Sequence, residues 1–439
     1  MYQFHAKYIF PFFLLFLFAF GVTSIAQTST VSNPTSTREN DPYSRFGVGE
    51  ALNGNNAVLQ GMGNISSAYE NPYSINSDNP ASYSFLKLTT YEAGMQGSIR
   101  NVAANGLNYT TGTATLNYLN IGVPVGKHGG LVFGFTPQTR VYYNLADTAV
   151  YPGAGPIRRS FGGNGGLNYA YIGAAYEYKG FSAGFNFGYM FGSITTSSFA
   201  DNIDTIANST MNSEFSNYEK IGGIYWKGGL MYETKLKKDL VLRVGGTLAL
   251  AQSLNQIQNN YWISSYQFYD TLVQDTSYQS NQSKGKIRLP MTYSFGVHLA
   301  KAEHWDVGAD YTATQWSQFT NNGIGQPSDS LASTAYKISI GGEYVPNASN
   351  IRNFWSRVTY RFGMYYGTDP VYLRNTQINY YGLTAGMSLP FRRSTSEFHG
   401  ALDVGRMGTQ SNGLIQQTYV KLTLGLTFNA KWFIPRKYE

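Results

Sequence analysis

The stretch from 416 to 432 narrows the possible folds more than any other part of the chain. Val420, Leu422, Leu424, Leu426 and Phe428 take every second position, and Lys421, Thr423, Gly425, Thr427 and Asn429 lie between them. A side-chain period of two belongs to an extended strand, whereas an amphipathic helix brings apolar residues back every three to four positions. The same alternation runs through Phe181, Ala183, Phe185, Phe187, Tyr189 and Phe191. It recurs from Ile287 to Leu299 and from Trp305 to Tyr311. Strands of soluble sandwiches and propellers usually have about five or six residues; these runs are longer, enough to cross a bilayer at a tilt.

Fourteen such segments are read, at 88–101, 111–125, 129–144, 166–178, 180–194, 219–235, 239–254, 285–300, 303–317, 333–346, 355–367, 376–389, 396–408 and 416–432. Their connections alternate short and long, as periplasmic turns and extracellular loops do. Lys127-His128, Tyr178-Lys179-Gly180, Lys235–Asp239 and Lys301-Ala302-Glu303 read as short turns. Long loops are expected at 144–164, 195–218, 256–283 and 319–333. The contrast weakens after Pro346. The expected fold is all-β: a transmembrane antiparallel β-barrel of about fourteen strands, with both termini periplasmic.

Composition agrees. Past residue 26 no apolar run approaches the roughly 20 residues a spanning helix needs, and mean hydropathy is −0.27. Yet 16% of the residues are aromatic and only 13% charged, against about 25% charged in ordinary domains. The 36 tyrosines and 48 glycines suit membrane interfaces and crowded lumens. Lys7, the apolar run Ile9–Phe20 and Ser24-Ile25-Ala26 before Gln27 read as a cleaved signal peptide. There is no cysteine, which excludes lipid attachment at a lipobox, disulfides and thiolate chemistry. The net charge of +7 contains no basic run of the kind that binds nucleic acid and suits contact with membrane lipid and lipopolysaccharide.

Residues 27–85 break the pattern. The part up to Asn40 is rich in Ser, Thr and Asn and reads as a disordered leader. Asp41–Gly47, Gly61-Met62-Gly63 and Asn79-Pro80-Ala81 follow, with Pro and Gly too frequent for long strands. A compact polar segment of this kind fits inside a lumen that side chains alone cannot fill. Gly61 and Gly63, followed by Asn79, Pro80 and Ala81 just before the first strand, resemble the head of the FadL-type long-chain fatty acid transporters. Gly134-Phe135-Thr136-Pro137 is similar to that family's interrupted third strand, and Leu289-Pro290 with Gly296 to a pattern in its eighth. The resemblance implies a hatch plugging a fourteen-stranded barrel, with Gly134 and Pro137 at the strand-3 interruption. The expected organisation is a signal peptide at 1–26, a leader at 27–40, a hatch at 41–85, a barrel at 86–433 and a periplasmic tail at 434–439.

Enzyme chemistry finds little support. No G-x-S-x-G nucleophile elbow surrounds His298. His399 and Asp403 are four residues apart on a strand, about 13 Å. No metal spacing of the HExxH type occurs, and the glycine runs do not lead into a helix that would cradle phosphate. No catalytic residue, metal or cofactor is expected. Arg288, Arg357 and Arg361 alternate onto the lumen side; they pair with inward acids and the hatch, or one of them meets the carboxylate of an amphipathic ligand. The leading expectation is an outer-membrane channel for passive uptake of small hydrophobic or amphipathic molecules. The alternative is a FadL-like barrel serving as a non-transporting partner or scaffold of a secretion or barrel-assembly complex, bound to other outer-membrane proteins.

Overall fold

A computed structural model describes residues 40–431 apart from 53, 105, 153–154, 203–211, 237–238, 269–270, 302–303, 322–329, 351 and 393. The signal peptide, the leader before Asn40 and the tail at 434–439 lie outside the described residues, as do the turn residues Lys237-Lys238 and Ala302-Glu303.

The wall is one closed antiparallel sheet of fourteen strands. β1 spans Thr89–Ala104 and β2 Leu107–Val125. β3 comes in two pieces, Gly129–Pro137 and Thr139–Tyr151. β4 (Gly155–Tyr178), β5 (Phe181–Asn202) and β6 (Asn212–Lys235) are continuous. β7 (Leu240–Ala249 and Gln252–Phe268) and β8 (Thr271–Leu289 and Thr292–Lys301) are each in two pieces. β9 (Trp305–Thr314), β10 (Ala335–Tyr344), β11 (Thr359–Leu373), β12 (Thr376–Pro390), β13 (Glu397–Gly408) and β14 (Gln416–Ala430) complete the wall. β14 pairs with β1 from Gln416–Ala103 to Ala430–Thr89, which closes the sheet. Closure matters because an unpaired backbone amide in hydrocarbon costs several kcal/mol. Among the described residues no helix is long and apolar enough to cross a membrane; the apolar face belongs to the strands, with Ile172, Phe187, Leu230, Phe295, Phe362 and Leu383 exposed outward.

Two expectations need correction. The segments at 144–164 and 256–283 are not long loops, and in the one at 195–218 Thr195–Ala200 pairs with Ser213–Tyr218. Val141–Tyr151 pairs with Gly155–Gly165, and Gln252–Phe268 with Thr271–Leu289, as extended hairpins. Beyond the hydrocarbon a strand is held by its ladder bonds and needs no apolar alternation, so the signal that marks strands in the membrane is missing there. The second correction concerns phase. In β3 the buried positions are Val132 and Thr136 before Gln138, but Val141 and Tyr143 after it. In β7 they change from Val241, Arg243 and Ala249 to Leu254, Gln256 and Asn260. In β8 Ile287 and Leu289 are buried, then Ser294 and His298. Each break inserts irregular residues and turns the rest of the strand over, because one residue of slip exchanges the two faces.

Candidate functional site: the head segment in the lumen and the break in the third strand

The head, from Asn40 to Leu86, is built from short capped turns. Asp41 caps the 3-10 turn Pro42–Arg45 by accepting from the Tyr43 amide. Asn56 caps the one-turn helix Ala57–Gln60 through the Leu59 amide. Asn79 caps the 3-10 turn Pro80–Phe85 through the Ala81 amide. Side-chain oxygens of Asp and Asn satisfy amides that a short turn leaves open, and Pro80 at the first position loses nothing by lacking one.

Glycines let this segment approach the wall backbone to backbone. A Cβ on Gly341 would come 2.2 Å from the Met62 oxygen, and one on Gly363 2.3 Å from the Gly63 nitrogen. Gly63 has a φ of +70°, which suits glycine. The Gly63 amide donates to Thr384 Oγ1 at 2.8 Å, and that hydroxyl donates back to the Gly61 oxygen at 3.1 Å. On the other side, a Cβ on Gly229 would meet Asn79 Oδ1 at 2.1 Å and one on Gly184 would meet Pro80 at 2.4 Å. Ser182 donates to the Ala81 oxygen at 2.7 Å.

Charge ties the head to the barrel all round. Arg100 of β1, buried, pairs with Glu50 at 2.9 Å and Asp41 at 3.3 Å and donates to Gln417. Lys421 of β14 lies 3.4 Å from Glu50. Lys227 of β6 pairs with Asp78, and Arg243 of β7 with Glu70, Glu233 and Asp306. Asp310 of β9 accepts from the Ser66 and Ser67 amides at 2.6 and 2.7 Å. Burial pushes the Asp78 carboxyl up, but Lys227 beside it holds it below its ordinary value. These acids and serines of the head carry no sequence spacing that marks them; only the folded chain brings Asp41 beside Gln417.

The three arginines read as lumen contacts part company. Arg361 does face inward; it pairs with Glu343 at 2.9 Å and donates to Ser388. Arg288 is a correction: it is exposed on the outward face, because the break at Pro290-Met291 puts Ile287 and Leu289 inside instead. Arg357 is another correction: it lies in the connection before β11, its guanidinium 5.8 Å from the Phe354 ring. His399 and Asp403 do not meet; His399 bonds Ser388 and Thr427, and Asp403 accepts from Tyr365.

Gly134 and Pro137 lie where β3 leaves β2. The last register pair between those strands is Phe135–Leu119. After Pro137, Thr139 and Arg140 pair with Ala51 and Glu50 of the head instead, and the Leu52 amide donates to the Gln138 oxygen at 2.8 Å. A Cβ on Gly134 would fall 2.2 Å from the Tyr171 ring, so this glycine makes room for Tyr171. Outside the break is a cavity of about 840 Å³ bounded by Leu116, Arg140, Tyr189, Phe191 and Ile257, with Leu52 of the head in its lining. Leu52 also lines an interior cavity of about 340 Å³, which Asp78, Lys227 and Lys337 make polar. A further cavity of about 240 Å³ is bordered by Asp41, Glu50, Asp369 and Lys421.

A closed fourteen-stranded barrel with a polar head packed in its lumen is an outer-membrane barrel of the FadL-like fold. The chain belongs to the BamG family, whose model matches residues 8–439. Among solved structures, the Pseudomonas putida toluene transporter TodX superposes with a TM-score of 0.59 at 17% identity, over 87% of this chain and 99% of that one. The CymD monoaromatic hydrocarbon channel gives 0.55 at 15%, over 87% and 99%. A Pseudomonas aeruginosa FadL homologue gives 0.53 at 13%, over 87% and 98%. No curated protein matches in sequence.

Proposed function

We propose that this chain works as a partner-binding subunit of an outer-membrane assembly, of the secretion or barrel-assembly kind, with residues 41–85 acting as a hatch that stays in place. The observation that carries this reading is the head's attachment. Arg100, Lys227, Arg243 and Arg361 from separate parts of the wall each hold a carboxylate, and three of those carboxylates belong to the head or flank it. Withdrawing such a head strands the buried Arg100, which loses both Glu50 and Asp41, at about 3–5 kcal/mol, whereas Arg243 keeps Glu233 and Asp306 of the wall. The interior cavities carry charged side chains in their linings, Asp78, Lys227 and Lys337 in one and Asp41, Glu50, Asp369 and Lys421 in the other, which disfavours a hydrophobic solute there. BamG membership over nearly the whole chain supports the same reading. Both termini then face the periplasm, and the extended hairpins project outward as protein-contact surfaces.

Passive uptake of hydrophobic molecules is a second reading, favoured by the wall cavity at the β3 break and by the hydrocarbon channels that share the fold. Purification from native outer membrane without overexpression separates the two. A stoichiometric protein partner, with hydrophobic-probe uptake unchanged on depletion of the protein, is expected. A lone barrel whose depletion slows that uptake would overturn the partner reading.

A further inference from the structure

The outward face of β6, β7 and β8 carries cations where a membrane wall should be apolar. Lys220, Lys284, Lys286 and Arg288 are all exposed. The registers place them on one face: Ile257 of β7 stands opposite Lys220 on one side and Lys284 on the other. Lys286 stands opposite Asn255, and Arg288 opposite Ser253. Neighbouring strands are about 4.8 Å apart and same-face residues about 7 Å apart along a strand. The four charges therefore fall within a patch roughly 15 Å across. Among the described residues none of the four has an acidic partner within ion-pair distance, unlike Arg100, Arg243 and Arg361 inside the barrel.

The patch lies at the boundary of the apolar belt. On its turn side Ile224, Leu230, Leu248, Leu250, Phe295 and Val297 are exposed outward. Lys220 itself lines the wall cavity of about 840 Å³, together with Tyr189, Phe191, Tyr218 and Ile257. Cations above, aromatic side chains at their level and an apolar recess beside them match a lipid with a phosphorylated head and acyl chains.

We propose that this face binds a phosphorylated glycolipid of the outer leaflet, with Lys220, Lys284, Lys286 and Arg288 on its phosphates and an acyl chain in the wall cavity. Lys and Arg donate strongly to phosphate, and Arg does so bidentately. The site rests on the orientation with both termini periplasmic, but not on whether the chain binds a protein partner or passes a solute.

The test uses the full-length barrel extracted from outer membrane and native mass spectrometry of bound lipid. Wild type should keep the phosphorylated glycolipid after exchange into detergent. The variant K220Q/K284Q/K286Q/R288Q should keep on the order of a hundredfold less, since each of the four surface cations adds severalfold to anionic-lipid binding. It should still show heat-modifiable mobility as a folded barrel. Ile257→Trp, which narrows the cavity and keeps every charge, should lower retention too. Lys127→Gln with Lys179→Gln, at the opposite turn end, should leave it unchanged. Equal retention in wild type and the quadruple variant overturns the proposal, as does equal loss in the turn-end control. Competition by phosphatidylglycerol vesicles as effective as by the glycolipid removes the assignment to a glycolipid. Orientation is read separately with Gln279→Cys, since the chain has no cysteine of its own. An impermeant maleimide should label it on intact cells; labelling only after the outer membrane is opened overturns the outer-leaflet site.

Discussion

Glu50 joins two lysine- and arginine-bearing strands to the head, and its protonation sets how firmly. Burial pushes its carboxyl up, but Arg100 and Lys421 pull it down further, to about 2 from an ordinary 4.5. Because the folded value is the lower one, the stabilisation is complete above about pH 4.5 and is lost as pH falls through about 2. Glu50→Gln should therefore lower the temperature of the heat-modifiable shift at neutral pH, and the gap from wild type should close near pH 2. A gap that stays constant with pH would mean that Glu50 acts through packing alone. Asp41 behaves differently: burial raises its carboxyl despite Arg100, and the charge of Glu50 raises it further. Asp41→Asn should consequently cost less than Glu50→Gln in the same assay. The wall glycines act by absence. Gly363→Val would drive a side chain into the backbone of Met62 and Gly63, and overpacking of this kind costs about 1–3 kcal/mol. Its expected result is a folded barrel with a loosened head, read as faster proteolysis within 41–85 after the outer membrane is opened.

Strand β3 shows what a sequence reveals and what it hides. The proline at 137 is visible to any reader, and a strand with a proline in it is suspect. That Gly134 exists for Tyr171, thirty-seven residues on, is not visible, because the contact is made across the β3–β4 register at Gly134–Tyr171. Gly134→Val should abolish the folded barrel, and adding Tyr171→Ala should restore heat-modifiable mobility. Pro137→Val should be tolerated, since β2 pairing has already ended at Phe135. Failure of Tyr171→Ala to rescue would show that Gly134 is needed for its backbone instead. The membrane-crossing parts of β5, β9 and β14 were legible from alternation alone, because lipid demands apolar side chains on every second residue. The upper hairpins were not, because water makes no such demand. The inward Arg361 was legible by phase, whereas Arg288 was misassigned because a two-residue break reversed its strand.

At the scale of the whole molecule, the head occupies much of a wide lumen and leaves cavities of about 340 and 240 Å³ beside it. A lumen of fourteen strands is too broad for wall side chains to fill, and here glycine backbones, capped turns and ion pairs fill it. Deleting 41–85 should leave an open pore: cells carrying it should become sensitive to bulky polar antibiotics, and planar bilayers should show steady conductance. Conductance no higher than that of the full chain would mean that the strands collapse inward without the head. The interruptions in β3, β7 and β8 have a consequence for how such a chain can change length. Within an unbroken strand such as β5, one inserted or deleted residue would present its polar face to lipid from that point on. At Gln138, Leu250-Ala251 or Pro290-Met291 the facing is already reset by irregular backbone, so a single-residue insertion there can be taken up locally. Indels should therefore be tolerated at those three joints and rejected a few residues to either side, which makes the breaks the places where this wall can evolve without being rebuilt.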